Sequence, residues 1–269
     1  MRELVLVKLG GSLITDKLRP ETARLDTIQR LAKEIAQALA QRPTLSLVLG
    51  HGSGSFGHIQ AQRYHVHEGG LTDWMGYAQT GAAAQRLNRI VTDALLEAGV
   101  PAVSLQPSAS ALCRQGELLA LSIEPVQHLL AHGAVPLLYG DVAIDAVQGS
   151  TIVSTEQVLA YIARNLGPTR FVEVGEVEGV YTTDPHHDPN ARLLPRITPS
   201  QHAALAAGLQ DSHAVDVTGG MRSKVATLLA LIQTMPGLTA RIISGETPGA
   251  LATALLDPQA ELGTLLCAD

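Results

Sequence analysis

The chain has 269 residues, enough for one large α/β domain or two closely joined lobes, and 46% of them are apolar. Aromatics are only 3%, so the apolar content is mostly Ala, Leu, Val and Ile, a mixture that suits parallel strands buried under helices better than an aromatic-rich sandwich. The formal charge of −6 comes without any basic block, which argues against nucleic-acid binding, and no run approaches the roughly 18 apolar residues of a membrane span.

In chain order, residues 3–9 (ELVLVKL) predict a buried strand running into Gly10 and Gly11. Residues 26–40 predict an amphipathic helix, with Asp26 as N-cap and Ile28, Leu31, Ile35 and Leu39 on one face. Residues 44–49 read as a second strand ending in glycines. Residues 78–98 read as a helix stopped by Gly99 and Pro101. A strand at 134–139 runs into Gly140-Asp141, a helix covers 155–166, and a strand covers 169–174. A helix over 219–234 follows, then a strand at 239–243 and short strands near 252–256 and 263–267.

Strands alternating with helices, with glycines at the strand C-terminal ends, predict a three-layer α/β/α sandwich with a mostly parallel central sheet. Ligands of such sheets bind beyond the carboxyl ends of the strands. That rule sets Gly10–Ser12, Gly50–His58 and Gly140-Asp141 along one edge. The two cysteines, Cys113 and Cys267, have neither disulfide-framework nor metal-ligand spacing, and fit inert thiols in a reducing cytoplasm. The N-terminal apolar run is too short for a secretion signal.

Three motifs carry chemistry. In Lys8-Leu9-Gly10-Gly11-Ser12, with Lys17 nearby, the glycines let backbone N–H groups approach an oxyanion, and Lys8 interrupts an otherwise apolar strand. In His51-Gly52-Ser53-Gly54-Ser55-Phe56-Gly57-His58 the glycines match G-x-G-x-x-G. The segment after it, however, lacks the second strand with a terminal acid that a dinucleotide site needs, so the loop reads as a phosphate cradle. There a histidine such as His58 can donate to a phosphate oxygen. In Thr218-Gly219-Gly220-Met221-Arg222-Ser223-Lys224, paired glycines open a helix whose first turns carry a lysine, an anion site by geometry. No Walker A sequence is present.

These motifs, together with Gly140-Asp141-Val142 and Val177-Glu178-Gly179-Val180-Tyr181, occur in the order seen in amino acid kinases, over essentially the whole chain. Within that superfamily the GSGSFGH loop resembles that of isopentenyl phosphate kinases and of the related fosfomycin kinases, and the run HGSGSFGHIQAQRYHVHEGG is more similar to the former. The resemblance implies the amino acid kinase fold in one continuous unit. Residues 1–167 would form a lobe for acceptor binding and dimerisation, and residues 168–269 a lobe for the nucleotide. It implies ATP as donor, Mg²⁺ carried in with it, isopentenyl phosphate as acceptor, and a cytoplasmic homodimer.

By the same resemblance, Lys8, Lys17 and Lys224 hold the β- and γ-phosphates. Gly10, Gly11 and Ser12 line that path, and Gly219 and Gly220 face the nucleotide. Gly52, Ser53, Gly54 and Gly57 cradle phosphates, His58 and Thr155 contact the acceptor, Asp141 orients Lys8 and Lys17, and Glu176 contacts the nucleotide. An apolar slot for the acceptor's tail is expected from 71–77 and the helix residues 82–90. The chain departs from the family at Ser53, at Ser154-Thr155-Glu156-Gln157 where Ser-Gly-Asp-Asp is usual, and at Glu176 and Glu178 where aspartates are usual. Because both donor and acceptor are anionic, such a reaction needs cations and positioning more than a general base. Two other readings stand beside this one: a kinase acting on a phosphonate such as fosfomycin, and a non-catalytic nucleotide-binding relative.

Overall fold

The computed structural model describes residues 3–57, 74–183, 185, 188, 190–208 and 219–269. Its centre is β1 (Glu3–Leu9), which pairs in parallel with β2 (Leu45–His51) on one side and with β9 (Arg170–Gly175) on the other. The sheet extends through β6 (Val135–Tyr139) to β3 (Ala102–Ser104) at one edge. In the other direction it runs through β11 (Thr239–Ser244) and β12 (Thr264–Leu266) to β10 (Arg196–Ile197). All these neighbours are parallel except β11 and β12. Since β1 lies between β2 and β9, residues before and after 167 share one sheet.

Successive residues of each strand point to opposite faces, and each face has its own core. Val5, Val7, Leu47, Leu49, Val172 and Val174 face the layer formed by α1 (Gly11–Ile14), α2 (Leu25–Gln41), α3 (Trp74–Glu97) and α8 (Ala250–Leu256). Leu6, Val48, Leu138, Phe171 and Ile242 face α4 (Glu124–Ala131), α5 (Thr155–Leu166) and α7 (Gly219–Thr234). A further helix, α6 (Pro199–Gly208), touches α7. The expected three-layer sandwich is therefore present.

Two expectations are corrected. The short strand anticipated near 252–256 is α8: an apolar run of this length has neither a period of 2 nor one of 3.6, so pattern cannot decide it. Its ends are secured from elsewhere. Glu34 on α2 accepts the N–H groups of Gly249 and Leu251, both at 3.0 Å, and of Ala252 at 3.3 Å. At the other end Arg170 donates to the carbonyls of Ala254 (2.6 Å) and Leu255 (2.9 Å), and Arg42 to that of Leu256. A carboxylate at the N-terminus and guanidinium groups at the C-terminus match the helix dipole and satisfy its orphan backbone groups. The second correction is that Asp26 does not cap α2. The helix starts at Leu25 with Arg24 at the cap position, and Asp26 lies in its first turn.

A four-stranded sheet, unanticipated from the sequence, has the order β5 (Glu117–Ala120), β4 (Leu112–Arg114), β7 (Asp141–Asp145), β8 (Gly149–Val153). Its β7–β8 hairpin carries the chain from the end of β6 to the start of α5.

Removing the Glu34 carboxylate leaves the three α8 N–H groups without their acceptor. Hydrogen bonds to a charged group contribute about 1.5–3 kcal/mol each when the partner is buried. Glu34→Ala is therefore expected to lower unfolding free energy by about 4.5 kcal/mol in urea titration, the low end for three such bonds, with Glu34→Gln losing roughly half of that. An unchanged midpoint in Glu34→Ala would show that α8 does not depend on this cap.

Candidate functional site

On the α5–α7 face of the sheet, the apolar alternation breaks at the same level of two adjacent strands. β1 presents Leu6 and then Lys8, and β9 presents Phe171 and then Glu173. Lys8 and Glu173 are register partners across the parallel ladder, and both are nearly fully buried. The Lys8 ammonium donates to Glu173 Oε1 at 2.7 Å and to Glu156 Oε1 at 2.5 Å. Lys224, on the second turn of α7, lies 3.4 Å from the same Glu173 oxygen. Burial alone would push the Lys8 pKa down. The two carboxylates more than offset it and hold the group above the ordinary lysine value, which keeps it charged at neutral pH. Glu156 is correspondingly held below the usual carboxylate range: burial acts against this, and the Lys8 charge outweighs it.

Glu156 reaches Lys8 because α5 starts close to the sheet. Ser154 caps it, exchanging hydrogen bonds with Gln157 in a capping box. Gly50, the register partner of Lys8 on β2, leaves the space: a Cβ there would stand 2.8 Å from Thr155 and 2.9 Å from Leu159.

The two glycine cradles are in backbone contact. A Cβ on Gly11 would meet Gly54 N at 2.5 Å, and one on Gly52 would meet Gly11 N at 2.8 Å. Thr15 ties them together, donating to Gly11 O at 2.7 Å and accepting from Ser55 N at 3.0 Å. Gly54 adopts the left-handed region, with φ +49°. The carbonyl of Ser53 accepts from Phe56 N and Gly57 N, which closes the loop into a helical turn. Gly10 follows β1 directly, and Ser12 lies half-buried in α1. His51, at the end of β2, is fully buried and neutral. Burial pushes its imidazole down to about 4, outweighing the bond its Nδ1–H donates to Gly52 O; Asn88 donates to its Nε2, and the ring stacks on Tyr139. It is a structural post beneath the loop.

A second charged group lies at the exposed rim. Lys17 donates to Glu176 at 3.0 Å, and Arg24, 4.0 Å from Glu176, holds Glu246 through both guanidinium nitrogens. Between α5 and α7, beside Glu156 and Lys224, opens a cleft of about 550 Å³ also lined by Glu117, Arg164 and Thr227.

The structure thus brings together Lys8 with Lys224, Gly10–Ser12 with Gly52–Gly57, and Lys17 with Glu176. Gly219 and Gly220 open α7 as the motif implied. Two expectations fail. Asp141 does not orient Lys8 or Lys17: its buried carboxylate accepts from Ser108 N at 3.1 Å and Val142 N at 2.9 Å, and Glu156, Glu173 and Glu176 take the lysines instead. Burial raises the Asp141 pKa against those hydrogen bonds. Thr155 is buried, and its hydroxyl donates to His51 O at 2.7 Å, so it holds the glycine loop to α5 instead of facing an acceptor. His58 lies outside the described residues, as does the first part of the expected apolar slot at 71–73. Of the helix residues expected to line that slot, Ala83, Ala84 and Leu87 are buried and Ile90 packs against the core.

Glu173 escaped the sequence reading, although its signal is the one that marked Lys8: a charge inside an apolar strand, here Phe171-Val172-Glu173-Val174. Buried and rim lysines and glycine-rich loops thus gather at the carboxyl ends of parallel strands, a setting that suits an oligophosphate.

Residues 3–244 match the model of the amino acid kinase family. The chain is 36% identical to the isopentenyl phosphate kinase of Methanothermobacter thermautotrophicus, over 94% of this chain and 95% of that one. It is 37% identical to that of Haloferax volcanii, over 91% and 97%. X-ray structures of isopentenyl phosphate kinase align with a TM-score of 0.82 at 33% identity, covering 98% of this chain and 100% of that one.

The contact between the cradles is testable by adding one carbon. Gly11→Ala drives a Cβ into backbone, which cannot yield as a side chain can, and is expected to cost about 3 kcal/mol of stability. Gly175→Ala, at the end of β9, meets nothing within 4 Å and is expected to stay within about 0.5 kcal/mol of the parent in the same thermal unfolding experiment. Equal tolerance of both substitutions would contradict the packing described.

Proposed function

The chain belongs to the amino acid kinase family, in its isopentenyl phosphate kinase branch, and on that premise we propose that it transfers the γ-phosphate of ATP to the phosphate of isopentenyl phosphate, giving the diphosphate. The observation that carries this reading is the pair Lys8 and Lys224, joined through one carboxylate oxygen at the open ends of the central strands and next to two interlocked glycine cradles.

In this reading the Lys8 and Lys224 ammonium groups balance the charge of the moving phosphoryl group, and Lys17 at the rim joins them. The N–H groups of Gly11 and Ser12 run along the donor's phosphates, beyond the turn that Gly10 begins by donating to Val174 O, while the Gly52–Gly57 loop and the imidazole of His58 hold the acceptor's. Gly219, Gly220 and Glu176 belong to the nucleotide side. An acceptor phosphate oxygen is already a nucleophile, so no side chain has to take a proton from it.

Among the described residues, no three His, Cys, Asp or Glu side chains are grouped to hold a metal ion, and Glu156 and Glu173 are committed to lysines. These residues fit a Mg²⁺ that is carried by the triphosphate, where it neutralises the phosphate oxygens. The same reading extends to a homodimer, to a cytoplasmic location, and to a division of labour in which residues 1–167 serve the acceptor and 168–269 the nucleotide; family membership supports these. Among the described residues, no helix is long and apolar enough to cross a membrane.

The test is ADP release with Mg-ATP against isopentenyl phosphate, dimethylallyl phosphate and fosfomycin. Turnover is expected on isopentenyl phosphate. Lys8→Ala is expected to lower kcat by roughly 10²–10³-fold, the size of losing one preorganised charge at the transition state. Turnover on fosfomycin alone, or on none of the three, would overturn the acceptor assignment.

A further inference from the structure

Glu173 is the hub of the buried charge cluster. One of its oxygens serves two ammonium groups, 2.7 Å from Lys8 Nζ and 3.4 Å from Lys224 Nζ. The two lysines differ in how firmly they are held. Lys8 is 3% exposed and has a second carboxylate, Glu156, at 2.5 Å. Lys224 has a side chain 25% exposed and a longer contact to Glu173. Lys8 is anchored on a central strand, whereas Lys224 rides on α7, so the two lysines come from different layers of the fold. Without an anion between them, two ammonium groups at this separation repel. Glu173 is itself rigid: β9 is hydrogen-bonded on both sides, to β1 and to β11, and the side chain is 2% exposed.

We propose that Glu173 is a positioning residue that sets the spacing of Lys8 and Lys224 for phosphoryl transfer and, by its negative charge, limits how tightly the site binds nucleotide. The first half follows from geometry: a single oxygen fixes both ammonium groups relative to each other. The second follows from charge. Lys8, Lys224, Glu156 and Glu173 sum to zero, and removing one carboxylate leaves a net positive cluster facing a polyanion. Spacing favours turnover and neutralisation opposes binding, so Glu173 trades nucleotide affinity for rate. This inference rests on the assignment of the site as the ATP phosphate site, and its binding arm does not require an acceptor.

Glu173→Gln keeps the shape of the side chain and removes the charge. Mg-ATP binding, measured by titration calorimetry without acceptor, is expected to tighten by roughly three- to tenfold, as removal of one nearby like charge implies. kcat on isopentenyl phosphate is expected to fall by about tenfold or more, because lysines that repel each other are no longer aligned. Glu173→Asp, which keeps the charge, is expected to bind Mg-ATP like the parent, with an intermediate kcat. These opposite movements separate positioning from mere support, since a damaged fold weakens both. Unchanged affinity and rate in Glu173→Gln, or a parallel loss of both while Glu173→Asp behaves like the parent, would overturn the proposal. If the parent protein binds ATP but does not turn over isopentenyl phosphate, the acceptor assignment fails, and tighter ATP binding by Glu173→Gln still supports the charge role.

Discussion

A lysine ammonium buried at the end of the central strand is the constraint around which the rest is arranged. Lys8 is 3% exposed, and an unpaired ammonium in such a place would lose its proton instead of remaining charged. Two carboxylates prevent this, and each is delivered by a different element. Glu173 comes from the neighbouring strand by register, and Glu156 from the first turn of α5. Removing one partner of a buried pair typically costs about 3–5 kcal/mol, so these charges bind sheet to helix layer as well as shaping a site. Lys224 joins them from α7, and α5, β1, β9 and α7 thereby meet at one point.

Small residues make that convergence possible. Gly50 lets the start of α5 lie against β2, which brings Glu156 within reach of Lys8 and lets Thr155 tether the end of β2. Gly11, Gly52 and Gly54 let two glycine-rich loops touch through their backbones, so the donor and acceptor sites proposed for them would be adjacent. In the proposed transfer between two phosphates, donor and acceptor repel each other, and the lysines near these loops would offset that repulsion.

The parts legible in the sequence were those with a strong local period or a strong local break. The long helices α2 and α3, the buried strands β1, β2, β6, β9 and β11, and the capped α5 all carry enough residues for their pattern to show. Lys8 stood out because it interrupts an apolar strand. Glu173 interrupts β9 in the same way, but only the β1–β9 register makes it a partner of Lys8. The sequence alone offers no reason to pair them. The four-stranded sheet went unseen because its strands span three to five residues with mixed exposure. Family order gives Asp141 to the lysines, whereas its carboxylate accepts from the adjacent Val142 N and from Ser108 N, 33 residues away in sequence. The run at 250–256 carried no usable period, and its helical form is decided by Glu34 and Arg170, which lie far from it in sequence.

The measurement that bears most directly on this account is the protonation of Lys8 itself, read from the Nζ resonance of ¹⁵N-lysine-labelled protein, assigned by comparison with Lys8→Arg. Ordinary lysines lose their proton near about pH 10.4. With Glu156 and Glu173 around it, Lys8 is expected to keep its ammonium signal at about pH 11, after ordinary lysines have titrated. A Lys8 that titrates at or below the ordinary lysine value would mean that burial outweighs the carboxylates, and the charge cluster at the centre of this account would not exist.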